Sequence, residues 1–338
     1  MQEREYTLAD GRLYYKITQG NREGAGQAIC ITRFQGQAGE VMLPARMEGL
    51  PVTTVGKKAF LSRKSLYRVI LPDTLEEVED WAFAYCSGLK SVEFPRRRIR
   101  FGRSVFLECT GLERIGTGAY GNTQEGVGGA WQLHSAAGQA YSQQETEAMQ
   151  QTPGDSSRLL AAAVTMLDAP YLLDTMEAGT SQWLAKWDAK LIQVMLTPDQ
   201  EGYSRQVLCG EEDYGSTDLK AYMSGRRKEK VRLCYLRLLY PHGLSRELQR
   251  ELEAYLCAHT KGRESQESWQ VLLGEHGMER EYYRLFAGLG CVNAGNLGDI
   301  LEDIGEACPE MKAYFLTWKG KKQENQAELS DFFADFEL

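Results

Sequence analysis

The sequence predicts an α+β chain: a short β-solenoid over residues 1–118, followed by an α-helical domain over residues 158–338. Three observations carry that reading. Apolar columns recur every 23 residues between Val55 and Ile115. Between residues 119 and 157 the composition shifts to Gly, Gln, Ser and Thr. From Ser156 onward the apolar residues return with helical spacing. The 338 residues are enough for about two domains with cores of their own.

The repeat comes first because a fixed period decides an architecture. Val55, Val78 and Phe101 form one column; Ala59, Ala82 and Val105 a second; Phe60, Phe83 and Phe106 a third. Leu66, Leu89 and Leu112 follow, then Val69, Val92 and Ile115, all without an insertion. Leu71-Pro72 returns as Phe94-Pro95, and Cys86 shares its register with Cys109. One such unit is too short to bury its own apolar face, so the units must stack. Within Leu66–Leu71, alternation turns Val69 and Leu71 inward and Arg68 and Ile70 outward. Pro72 and Pro95 end their strands because proline cannot donate to a ladder. A tight turn around each Ala-Phe pair follows, with the three phenylalanines stacked down the interior.

These residues resemble the BspA-like leucine-rich repeats. The pattern is Leu-x-x-Val-x-(Leu/Phe)-Pro, then (Leu/Ile)-x-x-(Val/Ile)-Gly-x-x-Ala-Phe-x-x-Cys-x-x-Leu. It is carried by Leu66–Pro72, Leu75–Leu89 and Leu89–Pro95, and less completely by Ile99–Leu112. Cys30–Phe34, Val41–Pro44 and Gly49–Val52 look like that family's N-terminal cap, so the resemblance covers about residues 6–118. Glu79 departs from it in the column of Gly56 and Gly102, and no proline follows Ile115. The resemblance implies a protein-binding or surface scaffold and no catalysis.

Residues 119–157 bury little apolar surface and read as a tether, capping the solenoid through Trp131. Their Gly126-Val127-Gly128-Gly129 run is no phosphate loop, because the lysine and hydroxyl that follow in such loops are missing. In the helical domain, Ser156-Ser157 is expected to cap a helix through Met176, and Ser181 to begin another. Residues 191–208 read either as a continuation of that helix or as a hairpin. A helix over Asp218–Tyr240 stops at Pro241. Ser245 caps the next, whose stripe is Leu248, Leu252, Tyr255 and Leu256. Shorter helices are expected around Ser265–Glu275, Arg280–Leu289, Leu297–Ile304, Glu310–Trp318 and Ala327–Phe336. The run Tyr283–Asn293 resembles a degenerate ankyrin repeat, without the Thr-Pro-Leu-His signature, and a general α-helical array is the broader statement.

The net charge of −8 hides an asymmetry. Residues 1–118 hold 18 basic against 14 acidic side chains, a net +4, and the remainder 21 against 33, a net −12. An acidic total argues against a protein built to hold nucleic acid. No apolar run is long enough to span a membrane. The charged start, Met1–Tyr6, lacks the apolar core of a secretory signal, which leads to the expectation of a cytoplasmic protein. Eight scattered cysteines without a Cys-x-x-Cys fit reduced thiols.

Catalytic chemistry finds little support in the pattern. The histidines are His134, His242, His259 and His276, and Cys257 and His259 are too close in sequence to share a helix face. No four ligands converge with metal spacing, so neither a metal nor a cofactor is expected. Cys86 and Cys109 lack a base in their third of the chain and read as small interior hydrophobes. Glu211-Glu212-Asp213 and Glu302-Asp303 read as solvated pairs, and Arg226-Arg227-Lys228 as a solvated helix face.

The binding candidates are stronger. The outward strand positions Tyr67, Arg68, Ile70, Lys90, Ser91, Glu93, Glu113 and Arg114 form a ladder typical of an interface. Arg96, Arg97 and Arg98, with Arg100 and Arg103 nearby, make a local positive patch suited to an acidic protein more than to DNA. The expectation is a non-catalytic interaction module or adaptor whose partner is another protein, with no nucleic acid and no membrane. Two rivals stand beside it: an enzyme sited in the helical half or the interdomain cleft, and a cell-surface adhesin whose leader has been removed.

Overall fold

The structure is a computed structural model that describes residues 3–20, 26–118, 156–203, 218–277, 279–305 and 308–317. Within them the solenoid and a helical region are both present, and the chain divides into two units, Met1–Val194 and Met195–Leu338.

The first unit opens with a meander, β1 (Arg4–Leu8), β2 (Gly11–Gln19) and β3 (Gln27–Gly36), paired antiparallel. β4 (Glu40–Met42) then starts the coils, and β5 (Arg46–Met47) makes a hairpin with β6 (Leu50–Val55). The coils continue as β7 (Arg68–Ile70), β8 (Glu77–Val78), β9 (Ser91–Pro95), β10 (Arg100–Phe101) and β11 (Arg114–Gly118). Two parallel ladders result. One runs β3-β6-β8-β10, continuing the meander, and the other runs β4-β7-β9-β11.

The turns between ladders are built as regularly as the strands. Phe60 N–H donates to Ala82 O at 2.7 Å, and Phe83 N–H to Val105 O at 3.0 Å. Ser62 N–H and Tyr85 N–H repeat the link to Ala84 O and Leu107 O. This geometry requires left-handed residues at fixed places: φ is +61°, +55° and +51° at Lys58, Trp81 and Ser104, and +59°, +60° and +55° at Ser62, Tyr85 and Glu108. Each series advances by the repeat. Glu79 finds its reason here: its carboxylate accepts Lys57 N–H of the preceding coil at 2.8 Å. Gly102, in the same column, has no room for a side chain, since a Cβ would fall 2.4 Å from Asp80 N.

The interior is apolar and buried. Phe34, Phe60, Phe83 and Phe106 form one continuous stack with centroid spacings of 5.4, 5.1 and 5.6 Å. Cys86 and Cys109 are buried beside it, each thiol donating to the Phe60 or Phe83 carbonyl at 3.0 Å.

The far end of the solenoid is closed by helix α1 (Ser157–Thr165), which packs on β11. The helix expected to reach Met176 stops at Thr165. Pro170 cannot continue it, Asp168 takes φ +48°, and a 3₁₀ turn covers Pro170–Leu172. Helix α2 (Ser181–Leu196) begins at Thr180, whose hydroxyl accepts Trp183 N–H at 3.2 Å. Trp183 Nε1 donates to Leu172 O at 2.9 Å, and Trp187 Nε1 to Leu159 O at 3.0 Å, fastening α2 to the segment before it. The hairpin alternative at residues 191–208 fails over its first part, which is helical through Leu196; residues 204–208 lie outside the described residues. The first unit thus takes in α1 and most of α2, which the sequence pattern places in the helical domain from residue 158.

The second unit is helical: α3 (Leu219–Leu239), α4 (Arg246–Ala258), α5 (Glu267–Glu275), α6 (Arg280–Gly288), α7 (Leu297–Ile304) and α8 (residues 309–317). Asp218 caps α3 and Ser245 caps α4 with side-chain bonds to Lys220 N and Leu248 N. α3 packs against α4, α5 and α6, burying Val231, Tyr235, Leu252 and Phe286. Arg237 is wholly buried at its end, donating to the carbonyls of Tyr240 and His242.

Candidate interaction surface

The ladder β4-β7-β9-β11 brings the predicted strand residues onto one face. Its register aligns Glu40, Arg68, Ser91 and Arg114 in one row, and Met42, Ile70, Glu93 and Gly116 in another. Val41, Val69, Val92 and Ile115 lie between these rows and are buried, so both rows point outward. Tyr67, Lys90 and Glu113 precede their strands by one residue, and their backbones repeat one pattern. Gly39 O accepts from Tyr67 and Arg68 N–H, Tyr67 O from Lys90 and Ser91, and Lys90 O from Glu113 and Arg114.

Small neighbours set the larger side chains in place. A Cβ at Gly39 would fall 2.5 Å from Tyr67 Cε1, so the Tyr67 ring rests on bare backbone. The Glu93 carboxylate lies against Gly116 in the same way. Tyr67 is 50% exposed and Met42 48%, with Ile70 half-buried beside them. Ion pairs cross the face from Arg68 to Glu40 at 3.6 Å and from Lys90 to Glu113 at 3.2 Å. Exposed pairs of this kind contribute about 0–1 kcal/mol, so their charges stay open to a partner.

Met42 and Glu40 complete the face, although the 23-residue period does not reach them. Val41 stands 28 positions before Val69, which breaks the period, while Leu43-Pro44 carries the same strand ending as Leu71-Pro72. That ending is the signal in the sequence that marks their strand.

The arginine patch is more internally engaged than its composition suggests. Arg100 pairs with Glu77 at 3.0 Å and Arg97 with Glu76 at 3.4 Å, both acids one coil back. Arg97 also donates to Asp73 O, and its own carbonyl accepts from Thr175 Oγ1 at 2.8 Å. Asp80 Oδ1 accepts Arg103 N–H. Arg96 and Arg98 are the exposed members of the triplet, at the edge where β9 ends.

In the second unit, Arg227 is a correction to the solvated face expected at Arg226–Lys228. The helical turn sets it inward with Lys230, where Arg227 pairs with Glu267 at 3.0 Å and Asp199 at 3.4 Å. Lys230 bonds Asp199 at 2.8 Å and Thr197 O at 2.6 Å. Ser265 Oγ donates to Glu267 and accepts from His259 Nδ1–H at 2.7 Å. In a hydrolytic triad the imidazole stands between hydroxyl and carboxylate; here the hydroxyl stands between them, so His259 is not placed to take its proton. Burial lowers the His259 pKa, which favours the neutral ring. The cluster organises the turn between α4 and α5.

The other candidates also serve structure. Asp303 accepts from Trp269 Nε1 and Lys261 Nζ, and His276 stacks on Tyr282 at 3.6 Å. A cavity of about 430 Å³ is lined by Arg280, Tyr283, Arg284, Cys308, Met311 and Tyr314; Arg280 there is paired with Glu310. Among the described residues no group of three or more metal-binding side chains converges, and no helix is long and apolar enough to cross a membrane. Trp131, His134 and Glu211–Asp213 lie outside the described residues.

Residues 49–121 match the BspA type leucine rich repeat region in six copies. Solved structures similar to the chain include a leucine rich repeat protein of T. pallidum, 28% identical, covering 30% of this chain and 46% of that one with a TM-score of 0.23. A leucine rich cell surface protein from Faecalibacterium prausnitzii is 24% identical, covering 33% and 30%, with a TM-score of 0.25. A leucine-rich repeat protein from Bacteroides ovatus is 20% identical, covering 32% and 28%, with a TM-score of 0.28. The chain spans less than half the length of each. No curated protein matches it.

Proposed function

We propose that the solenoid is a non-catalytic protein-interaction module, and that the chain works as an adaptor through the outward face of β4-β7-β9-β11. One observation carries this reading: Met42, Tyr67 and Ile70 are held outward among Arg68, Lys90 and Glu113 on a rigid parallel ladder. An aromatic and two aliphatic anchors ringed by weakly paired charges is the composition of a docking surface, and the fixed backbone lowers the ordering cost of binding. The partner is a protein, with acidic residues meeting the exposed Arg96 and Arg98 at the edge of the face.

The test compares affinity capture from native lysate by the wild-type chain and by a Tyr67→Ala/Arg68→Ala/Lys90→Ala variant. Those side chains are outside the core, so the variant retains the fold while losing the proteins that bind this face. Equal recovery of the same proteins by both baits would exclude the face as the binding surface.

A further inference from the structure

Cys86 and Cys109 interact with each other inside the solenoid, where both are buried, and a second thiol pair, in the second unit, differs in having one partly exposed member. Cys257 lies in the last turn of α4 and Cys291 in the loop after α6, and their sulfurs are 2.9 Å apart. The chain segments carrying them are clamped together: Asn296 Nδ2 donates to Cys291 O at 2.9 Å and to Lys261 O at 3.0 Å. Asn296 is itself buried, so the clamp is internal. Cys257 is partly exposed, whereas Cys291 is buried behind it. The pair therefore has an outer residue partly open to solvent and an inner one that is closed off.

We propose that Cys257 and Cys291 form a dithiol oxidation site that takes a hydroperoxide as its oxidant and closes to an internal disulfide. The Cys257 thiol gives its proton to solvent and the thiolate attacks the terminal peroxide oxygen; an S–O bond forms, the O–O bond breaks, and the alkoxide or hydroxide leaves and takes up a proton from solvent to become the alcohol or water. Cys257 becomes a sulfenic acid, oxidised by two electrons as the peroxide is reduced by two. Cys291 then gives up its proton and attacks the Cys257 sulfur. The S–S bond forms, the S–O bond breaks, and the hydroxyl departs as water with that proton. Two thiols and one hydroperoxide thus yield one disulfide, one alcohol and one water. Forming the disulfide brings the sulfurs from 2.9 Å to about 2.05 Å.

Electrostatics assign the same roles. As a thiol, Cys257 donates to Leu289 O at 3.3 Å; with Cys291 as the donor across the sulfur contact, its bond lowers Cys257 to about 7 against the opposing effect of burial, and the nearby Arg263 guanidinium lowers it further. The same interaction and burial push Cys291 upward, which keeps the proton on the inner sulfur. A partly ionised, reachable thiol beside a protonated partner is the arrangement of a peroxide-reactive pair. Cys30 and Cys234 differ: burial pushes the first up to about 11 and raises the second as well.

The experiment treats the reduced full chain with hydrogen peroxide at neutral pH, unfolds it in acidic denaturant, blocks the remaining thiols with N-ethylmaleimide after the pH is restored, and maps peptides without reduction. The expected result is loss of the maleimide adduct at both Cys257 and Cys291 and appearance of the peptide linking them, reversed by dithiothreitol. In Cys291→Ser, Cys257 is expected to stop as a sulfenic acid that dimedone captures. The proposal is overturned if both residues still carry maleimide when Cys308 is already oxidised, or if wild-type Cys257 accumulates sulfenic acid without forming the link. Both of those outcomes are read on the wild-type chain, so neither depends on the variant folding.

Discussion

The ring of Phe83 lies on the ring of Phe60, with centroids 5.1 Å apart and planes 18° from parallel. Each phenylalanine belongs to a different coil, so the contact joins adjacent repeats rather than stabilising one. Phe106 continues the stack from the other side of Phe83 and is slightly exposed, at 4%, where Phe83 is at 0%. A stacked array gains its stability from such nearest-neighbour interfaces. Phe83→Ala removes two of them and leaves a cavity, and is expected to destabilise the first unit by about 3–5 kcal/mol. Phe106→Ala should cost less. Urea unfolding followed by circular dichroism ranks the two, and equal losses would contradict an interior that propagates coil to coil.

The left-handed turn residues lead to a second expectation. Ser62 is exposed, takes φ +59°, and its backbone N–H is bonded to Ala84 O at 2.9 Å. An L-residue pays roughly 1–2 kcal/mol for that conformation, a β-branched one more, and glycine nothing steric. Ser62→Val should therefore lower stability by about 1 kcal/mol or more, while Ser62→Gly should be neutral or stabilising. Thermal melting of the two variants separates backbone strain from side-chain contact, because the serine side chain is solvent-facing. A valine variant that melts with the wild type would show that the turn relaxes.

How much of this is legible in the sequence follows from which forces set each feature. Val69, Val92 and Ile115 reveal the strands, and Phe60, Phe83 and Phe106 the stack, because burial selects apolar residues and leaves a trace in composition. The outward row of Arg68, Ser91 and Arg114 follows from the same alternation, whereas Tyr67, Lys90 and Glu113 share the parity of the buried column and stand outward because each precedes its strand. The left-handed positions leave no trace: Lys58, Trp81 and Ser104 share a conformation and no chemistry, since neighbouring coils impose it through backbone bonds. Arg227 reads as solvated because its partners are distant in sequence: Glu267 meets it through packing of α3 against α5, and Asp199 reaches it from the turn after α2. The pairing of Cys257 with Cys291 is hidden for that reason too. The end of α1 is legible in Pro170 but outweighed by the apolar run through Leu173.

Glu267 supplies a pH dependence. Burial by itself would raise its pKa; bonds from Ser265, Arg227, its own backbone N–H and Ser224 outweigh that and hold it at about 2. A carboxylate depressed in the folded state adds stability above its unfolded pKa, here 4.5, and loses it as pH falls through about 2. The side chain is 6% exposed, so solvent screens little of the effect. The contribution is on the order of 3 kcal/mol at neutral pH, since one pKa unit corresponds to about 1.4 kcal/mol. Glu267→Gln should be less stable at neutral pH and show a flatter decline between those two values. Urea midpoints over a pH series measure both slopes, and parallel curves would assign the acid sensitivity to other carboxylates.

Trp187 tests whether the helices after residue 156 belong to the solenoid. Among the described residues β11 is the last strand of its parallel ladder, and the apolar end of the core beside it is one that a folded protein must cover. α1 lies against β11, and its Leu159, Leu160 and Ala161–Ala163 are buried. What holds α1 is α2, through the fully buried Trp187 whose indole N–H reaches Leu159 O at 3.0 Å. Trp187→Phe keeps most of the apolar volume and removes that bond, and should cost about 1–3 kcal/mol because the Leu159 carbonyl is left without it. Trp187→Ala adds a cavity and should cost about 3–5 kcal/mol. If α1 and α2 are the cap of the array, the damage has a direction: hydrogen exchange should speed up first at Arg114–Thr117 in β11, next in β9, and least in β6, because terminal coils fray before internal ones. A Trp187→Ala chain whose β11 amides exchange at the wild-type rate would show that the solenoid ends stably by itself, and that the two helices merely rest on it.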